Sequence, residues 1–412
     1  MNKKLLIIGF VWPEPKSSAA GSRMLQLIYF FKAQDYQITF ATACAKSNNA
    51  FDLEQIGVDK IGIKLNDASF DEFILKLKPD VVLFDRFMSE EQFGWRVADQ
   101  LPEALRILDT EDLHFLRKAR EAAFKSNAKN ENDFLISDTT KREIASMYRC
   151  DLSLIISEAE VQLLRQRFEI SSDLLFYLPF LVETPSEASK IELPKYQDRA
   201  HFMTIGNFIH PPNYNALLYL KETIWPKIRQ QLPKAELHNY GAYAPQKVSE
   251  LHNEKEGFLI KGWAEDVNEV MQDSRMLLAP IRFGAGLKGK IFDALQNGTP
   301  LITTTFGAEG IMTPEIANGF ICDSPDAFSE AAVKLYENET LWLDKQAKGF
   351  EILSTKFSKS HFETEFAARL SRLVQNYKRE RQQNFIGQLL QHHSLQSTKY
   401  MGKWIEAKHK KP

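Results

Sequence analysis

Hydrophobic positions along the chain alternate between two periods. Leu5 to Phe10 is a continuous apolar run, as expected of a parallel strand covered on both faces. A turn rich in Pro, Ser, Ala and Gly follows. From Ser22 the pattern becomes helical, with Met24, Leu27, Ile28 and Phe31 on one face. The alternation then predicts strands at 37–42, 80–84, 104–108 and 152–156, and helices at 71–77, 89–100 and 158–168. A long polar, helix-prone stretch spans 113–147. Between 179 and 199 the chain turns rich in Pro, Ser, Glu and Lys and loses its period, which marks a linker.

A second alternating set predicts strands at 201–205, 235–240, 258–261, 276–280 and 300–304. Helices are expected at 213–231, 245–250, 267–272 and 288–296, with two more closing the set. Strands alternating with helices imply parallel sheets covered on both sides. The expected fold class is α/β, with two tandem doubly wound, Rossmann-like domains facing across a cleft. Their limits are 1–180 and 200–375, with a linker at 181–199 and a basic helical tail at 376–412. Such folds bind ligands at the carboxyl edges of their strands, so the shared cleft is the expected site.

Composition narrows the picture. A chain of 412 residues exceeds what one core usually serves, and 44% hydrophobic with 26% charged residues describes an ordinary globular protein. A formal charge of -2 gives no field that would draw nucleic acid. The tail is the local exception. From Lys378 onward, Lys378, Arg379, Arg381, Lys399, Lys403, Lys408, Lys410 and Lys411 stand against Glu380 and Glu406, a charge of +6, and the 377 residues before Lys378 carry -8. Cys44, Cys150 and Cys322 have neither disulfide-framework nor zinc spacing, so a reducing, cytoplasmic setting is expected. The apolar start is read as a buried strand rather than a secretion signal, because it is short and runs into Trp12-Pro-Glu-Pro15. No apolar stretch reaches bilayer-spanning length.

The stretch with the strongest chemical signal is Ala279-Pro-Ile-Arg-Phe-Gly-Ala-Gly-Leu-Lys-Gly-Lys290-Ile-Phe-Asp293. A strand ends, a turn containing Gly284, Gly286 and Gly289 follows, and a helix starts near Lys288. Free amides at a helix N-terminus attract anions, and glycines let backbone approach phosphate. Lys288 and Lys290 add full charge. On the helix, Gly286, Lys290, Asp293 and Asn297 share one face.

This loop resembles the donor-phosphate loop of the GT-B glycosyltransferases, specifically the retaining family-four group. Further segments resemble that family in the same order: Gly206-Asn207-Phe-Ile-His210-Pro-Pro-Asn213, Asn239-Tyr-Gly241, Lys261-Gly262-Trp263 with Asp266, Thr303-Thr-Thr-Phe-Gly307-Ala-Glu309-Gly310, and Asp151 to Glu160. The likeness runs over roughly 1–370. It implies a nucleoside-diphosphate sugar as co-substrate, a glycan, lipid-linked or protein acceptor, retention of anomeric configuration, and no metal or other cofactor. The donor side would be formed by Gly21, Asn207, Gly241, Gly262, Trp263, Arg282, Gly284, Ala285, Gly286, Leu287, Asp293 and Glu309. Lys288 and Lys290 would carry the diphosphate, and His114 would orient the donor sugar.

Two departures stand out. The family's glutamates eight residues apart are here Ala285 and Asp293, and the basic pair often found soon after the glycine at 206 is absent. On the acceptor side, Arg23, Asp85, Arg86, Asp109 and Asp112 are the candidates. Another GT-B enzyme, such as a nucleotide-sugar epimerase or a phosphorylase, and a non-catalytic partner-binding subunit are the alternatives. No Asp-x-Asp occurs, and His392-His393 is read as solvated rather than as a metal site. The tail has apolar pairs at i, i+4 (Phe385 with Leu389, Tyr400 with Trp404, Met401 with Ile405). They are expected to be buried by a helix crossing back to the first domain; the second reading is peripheral contact with anionic lipid at the inner membrane face.

Overall fold

The computed structural model describes residues 3–409, without the side chains of residues 393–396. Met1, Asn2, Lys410, Lys411 and the His393 side chain therefore lie outside the described residues.

The first domain is a seven-stranded, all-parallel sheet: β1 (Lys3–Gly9), β2 (Tyr36–Thr42), β3 (Asp59–Gly62), β4 (Val81–Asp85), β5 (Leu105–Asp109), β6 (Leu152–Ile155) and β7 (Leu175–Tyr177), in the order β3-β2-β1-β4-β5-β6-β7. The central run explains itself. Leu5 and Ile7 point into a core shared with Met24, Leu27, Ile28 and Phe31, while Leu6 and Ile8 point into a second core on the opposite face. The second domain repeats the plan with six parallel strands: β8 (Ala200–Ile205), β9 (Leu237–Tyr240), β10 (Phe258–Gly262), β11 (Ser274–Ala279), β12 (Leu301–Thr303) and β13 (Gly319–Ile321), in the order β10-β9-β8-β11-β12-β13.

Three strands absent from the sequence reading, β3, β7 and β13, are all sheet edges of three or four residues. An edge strand buries too little to show an apolar run. The polar stretch at 113–147 resolves into two helices, His114–Lys125 and Asp138–Arg149. The helix expected at 213–231 is broken into Pro211–Tyr219 and Trp225–Gln231 by a π-turn over Leu220–Ile224. Pro226 supplies no backbone N–H there, and the wider turn absorbs the loss.

The second domain ends earlier than residue 375. Phe357 still lies in its core, whereas Phe362, Phe366, Leu370 and Leu373 of the helix Lys359–Gln383 belong to the core of the first domain. Phe366 stacks on Phe30 at 4.5 Å between ring centroids. The final helix, Phe385–His409, then packs against Asp138–Arg149 and Arg86–Gln100. The helix lies on the first domain, but the apolar pairs expected to be buried there are not. Phe385, Leu389, Tyr400, Met401 and Trp404 remain exposed, because the helix meets the domain through its other face.

Candidate functional site

The two carboxyl edges meet over a cleft of about 970 Å³. On the second-domain wall the glycine-rich turn feeds the helix Gly289–Gln296, whose Ile291, Ala294 and Leu295 are buried beneath it. Gly286 has φ 64°, and a Cβ there would fall 2.8 Å from Asp112 Cβ of the opposite domain. Only glycine fits this close approach. Lys288 Nζ donates to Gly286 O at 2.8 Å. Lys290 Nζ donates to Asn213 Oδ1 at 3.0 Å and stands over Gly206, at the end of β8. Burial lowers the pKa of both lysines, that of Lys290 to about 8 against the pull of Asp293. Asp293 is raised to about 7 by burial, with Lys290 opposing. Neutral pH thus leaves Lys290 mostly charged and Asp293 near its midpoint.

On the first-domain wall, Arg117 Nε donates to Asp112 Oδ2 at 2.7 Å, and His114 Nδ1 lies 3.4 Å from Asp112 Oδ1. Burial alone would raise the Asp112 pKa, but Arg117 and then His114 hold it down at about 2. Arg86 (φ 68°) and Glu111 (φ 63°), just past β4 and β5, both adopt the left-handed region. Bulky residues held there store strain, which clusters at functional sites. The buried Ser17 Oγ, on the same wall, has no hydrogen-bond partner among the described residues.

Of the expected site residues, Arg86, Asp112 and His114 line the cleft from the first domain. Asn207, Gly241, Trp263, Gly284, Ala285, Leu287, Lys288, Lys290 and Asp293 line it from the second. The others have different surroundings. Arg23 does not reach an anion in the cleft, because its guanidinium is closed on Asp109 (2.8 and 3.0 Å) and on Leu178 O, with both side chains buried. Asp109 is thereby withdrawn from any acceptor. Asp85 is buried and accepts the backbone N–H of Phe10. Gly21 is needed for packing: a Cβ would collide with Glu14 backbone at 2.3 Å. Gly262 ends β10 at φ 75°, outside the cleft lining. Arg282 is turned away, stacked between Phe124 and Tyr219 and donating to Asn215.

Glu309 accepts two hydrogen bonds, both 2.7 Å, from Arg120 of the first domain. Arg120 also donates to Gly284 O at 2.9 Å. A second tie crosses nearby. Glu160 Oε1 accepts Leu113 N–H at 3.1 Å from its own domain and Gly286 N–H at 2.8 Å from the other, while its Oε2 is buried without a partner among the described residues. Burial, reinforced by Asp112, raises the Glu160 pKa to about 8. The phosphate-loop candidate is therefore held from the opposite domain. Sequence reasoning passed over Arg120, Glu160, Asn213 and His210. His210 lines the cleft, and burial, with Arg117 beside it, lowers its pKa to about 4, so its imidazole is neutral. His210, Asn213 and Glu160 each sit in one of the segments that resemble the family, but nothing local marks Arg120, whose partners Glu309 and Gly284 come from the other domain.

Among the described residues, one group of three side chains has the donor set and spacing for a metal ion. It is His201, Glu236 and His238, and none of them lines the cleft.

Comparison with known proteins follows the same lines. Residues 199–338 match the family model for glycosyl transferases group 1. No curated protein sequence matches the chain. Solved structures match over most of it at low identity. The pneumococcal O-GlcNAc transferase GtfA, in complex with UDP and GlcNAc, gives a TM-score of 0.68 at 12% identity over 90% of this chain and 99% of that one. Anabaena HepE, in complex with UDP and glucose, gives 0.66 at 13% over 90% and 100%. An S. aureus TarM structure gives 0.56 at 13% over 73% of this chain, which spans 57% of that one. Residues 199–338, which contain the glycine-rich loop, thus carry the match to glycosyl transferases group 1, and the chain as a whole has the GT-B fold of two facing Rossmann-like domains that these structures share over about nine-tenths of its length.

Proposed function

We propose that the protein is a retaining, metal-independent glycosyltransferase that moves a sugar from a nucleoside-diphosphate donor to a glycan, lipid-linked or protein acceptor. The observation that carries this reading is the placement of Lys288 and Lys290 at the amino end of the helix Gly289–Gln296, on the same cleft as His114. The backbone of 285–290 and the two ammonium groups would hold the diphosphate, and Asp293 would accept hydrogen bonds from the ribose hydroxyls. The base would lie near Gly241 and Trp263. Ala285 offers no carboxylate to the sugar, so backbone amides and His114 are left to orient it.

In the reaction, the bond between the anomeric carbon and the diphosphate oxygen breaks and the acceptor oxygen bonds that carbon on the same face. The acceptor's proton passes to the departing phosphate oxygen. As negative charge grows on that oxygen, Lys288, Lys290 and the helix amides stabilise it. The inter-domain ties favour a closed cleft that excludes water.

GtfA and HepE were each solved with UDP, which makes UDP the first nucleotide to try. A ligand bound only by the folded chain must raise its melting temperature. UDP or another nucleoside diphosphate is expected to do so for the wild type and much less for Lys290→Ala. Full donor affinity and transfer in Lys290→Ala would sink the assignment of the loop. NMR of the product linkage tests retention, since an inverted anomeric configuration rejects it.

A further inference from the structure

The final helix, Phe385–His409, has two dissimilar faces. One is seated on the first domain. A Cβ on Gly387 would meet Tyr148 O at 2.1 Å, Gln391 Nε2 donates to Arg149 O at 2.9 Å, and Glu406 is ion-paired with Arg96. At 3.6 residues per turn the opposite face carries Phe385, Ile386, Leu389, Tyr400, Met401 and Trp404. All six are between 47% and 70% exposed. Lys403 and Lys408 flank this apolar stripe, one on each side, and the Lys408 ammonium sits 3.9 Å above the Trp404 ring. Among the described residues neither lysine forms an ion pair, while the helix's one carboxylate, Glu406, is spent on Arg96.

We propose that this face rests on an anionic lipid surface, with the helix lying in the plane of the interface. The pattern fits that occupant on three counts. An apolar face with lysines along its borders lets the side chains enter the acyl boundary while the ammonium groups stay among anionic headgroups. Tyr400 and Trp404 pair an apolar ring with a polar tip, the type of side chain enriched at headgroup depth. Among the described residues no helix is long and apolar enough to cross a membrane, so contact in the plane is the geometry available to it. A second copy of the chain suits the face less well, since a two-fold pairing of these helices would set lysine against lysine with no free carboxylate on the helix to offset them. The proposal does not depend on which sugar or acceptor the cleft takes.

The test is co-sedimentation of the full chain with vesicles of phosphatidylcholine alone and of phosphatidylcholine mixed with phosphatidylglycerol. Binding is expected on the mixed vesicles, weak on the neutral ones, and weaker as salt is raised. The triple variant Tyr400→Ser, Met401→Ser, Trp404→Ser should bind at least about tenfold less, given the apolar area removed. Its melting temperature and its response to UDP should match the wild type, which separates loss of docking from loss of fold or of the donor site. Equal binding by the variant, or no binding of the wild type to anionic vesicles, overturns the proposal. So would a concentration-dependent dimer, seen by light scattering, that the triple variant abolishes, because the face would then be a contact between copies.

Discussion

Arg23 with Asp109 and Lys290 with Asp293 pair the same charges in the two domains, each with its cation in the first turns of a helix at the carboxyl edge of a sheet. In the first domain the pair is closed. Arg23 spends its fork on the Asp109 carboxylate and on backbone carbonyls, out of reach of solvent. In the second domain it is open. Lys290 has one neutral partner, Asn213, and the Asp293 carboxylate has no hydrogen bond among the described residues. Burial pushes the Asp293 pKa up to about 7 and the Lys290 pKa down to about 8, so both groups bear a desolvation cost that a bound ligand could relieve. A charge satisfied by the fold holds the fold together, and a charge left unsatisfied at a cleft is available to chemistry.

The largest expected effect tests the closed half. Arg23→Ala leaves Asp109 buried and unpaired, which should cost about 3 to 5 kcal/mol in denaturant unfolding. The double variant Arg23→Met, Asp109→Leu should recover much of that loss. If Arg23→Ala were instead stable and poor at binding donor, the two pairs would not differ as described. Next comes the open half. Lys290→Ala should lower kcat/KM about 10²-fold or more, as removal of a charge aimed at a developing oxyanion does, with little change in stability.

The tie between the walls should matter less. A double-mutant cycle on Arg120→Ala and Glu309→Gln should give a coupling of about 1 to 2 kcal/mol in stability, and both single variants should raise KM for donor. Additive effects would mean that the two side chains do not act together across the cleft.

The smallest effects are those of pH. If the Asp293 carboxylate accepts ribose hydroxyls, donor affinity should rise as pH passes upward through about 7, and Asp293→Asn should flatten that rise. For stability the sign is opposite. Glu160 keeps its proton in the folded chain up to about pH 8, whereas the unfolded chain releases it near the ordinary glutamate value. Stability therefore falls as pH rises across that window and levels off above it. Glu160→Gln should remove this part of the slope, and an unchanged profile would mean that Glu160 is ionised in the native state.

The contrast between the pairs also marks what the sequence could convey. Local periodicity located the central strands and helices, and the glycine-lysine spacing located the loop, because each signal lies within a few residues. Whether Arg23 faces a ligand or Asp109 depends on a partner 86 positions away, and Arg120 finds Glu309 across 189. Nothing near Arg23 records that choice. The same holds for Arg282: the Phe124 and Tyr219 rings that enclose it lie far from it in sequence and become its neighbours only on folding.

The return of the helix Lys359–Gln383 to the first domain has a consequence for synthesis. The aromatic patch of Phe30, Phe31 and Phe176 is completed by Phe366, which leaves the ribosome long after the rest of that domain. At about 5 to 20 residues per second, the stretch from the linker to the end of that helix takes on the order of 10 to 40 seconds to make. For that interval the nascent first domain presents an uncovered apolar face while the second domain is still being built. A segment translated late thus closes a core begun early, and a chaperone that binds apolar surface would have its longest opportunity there.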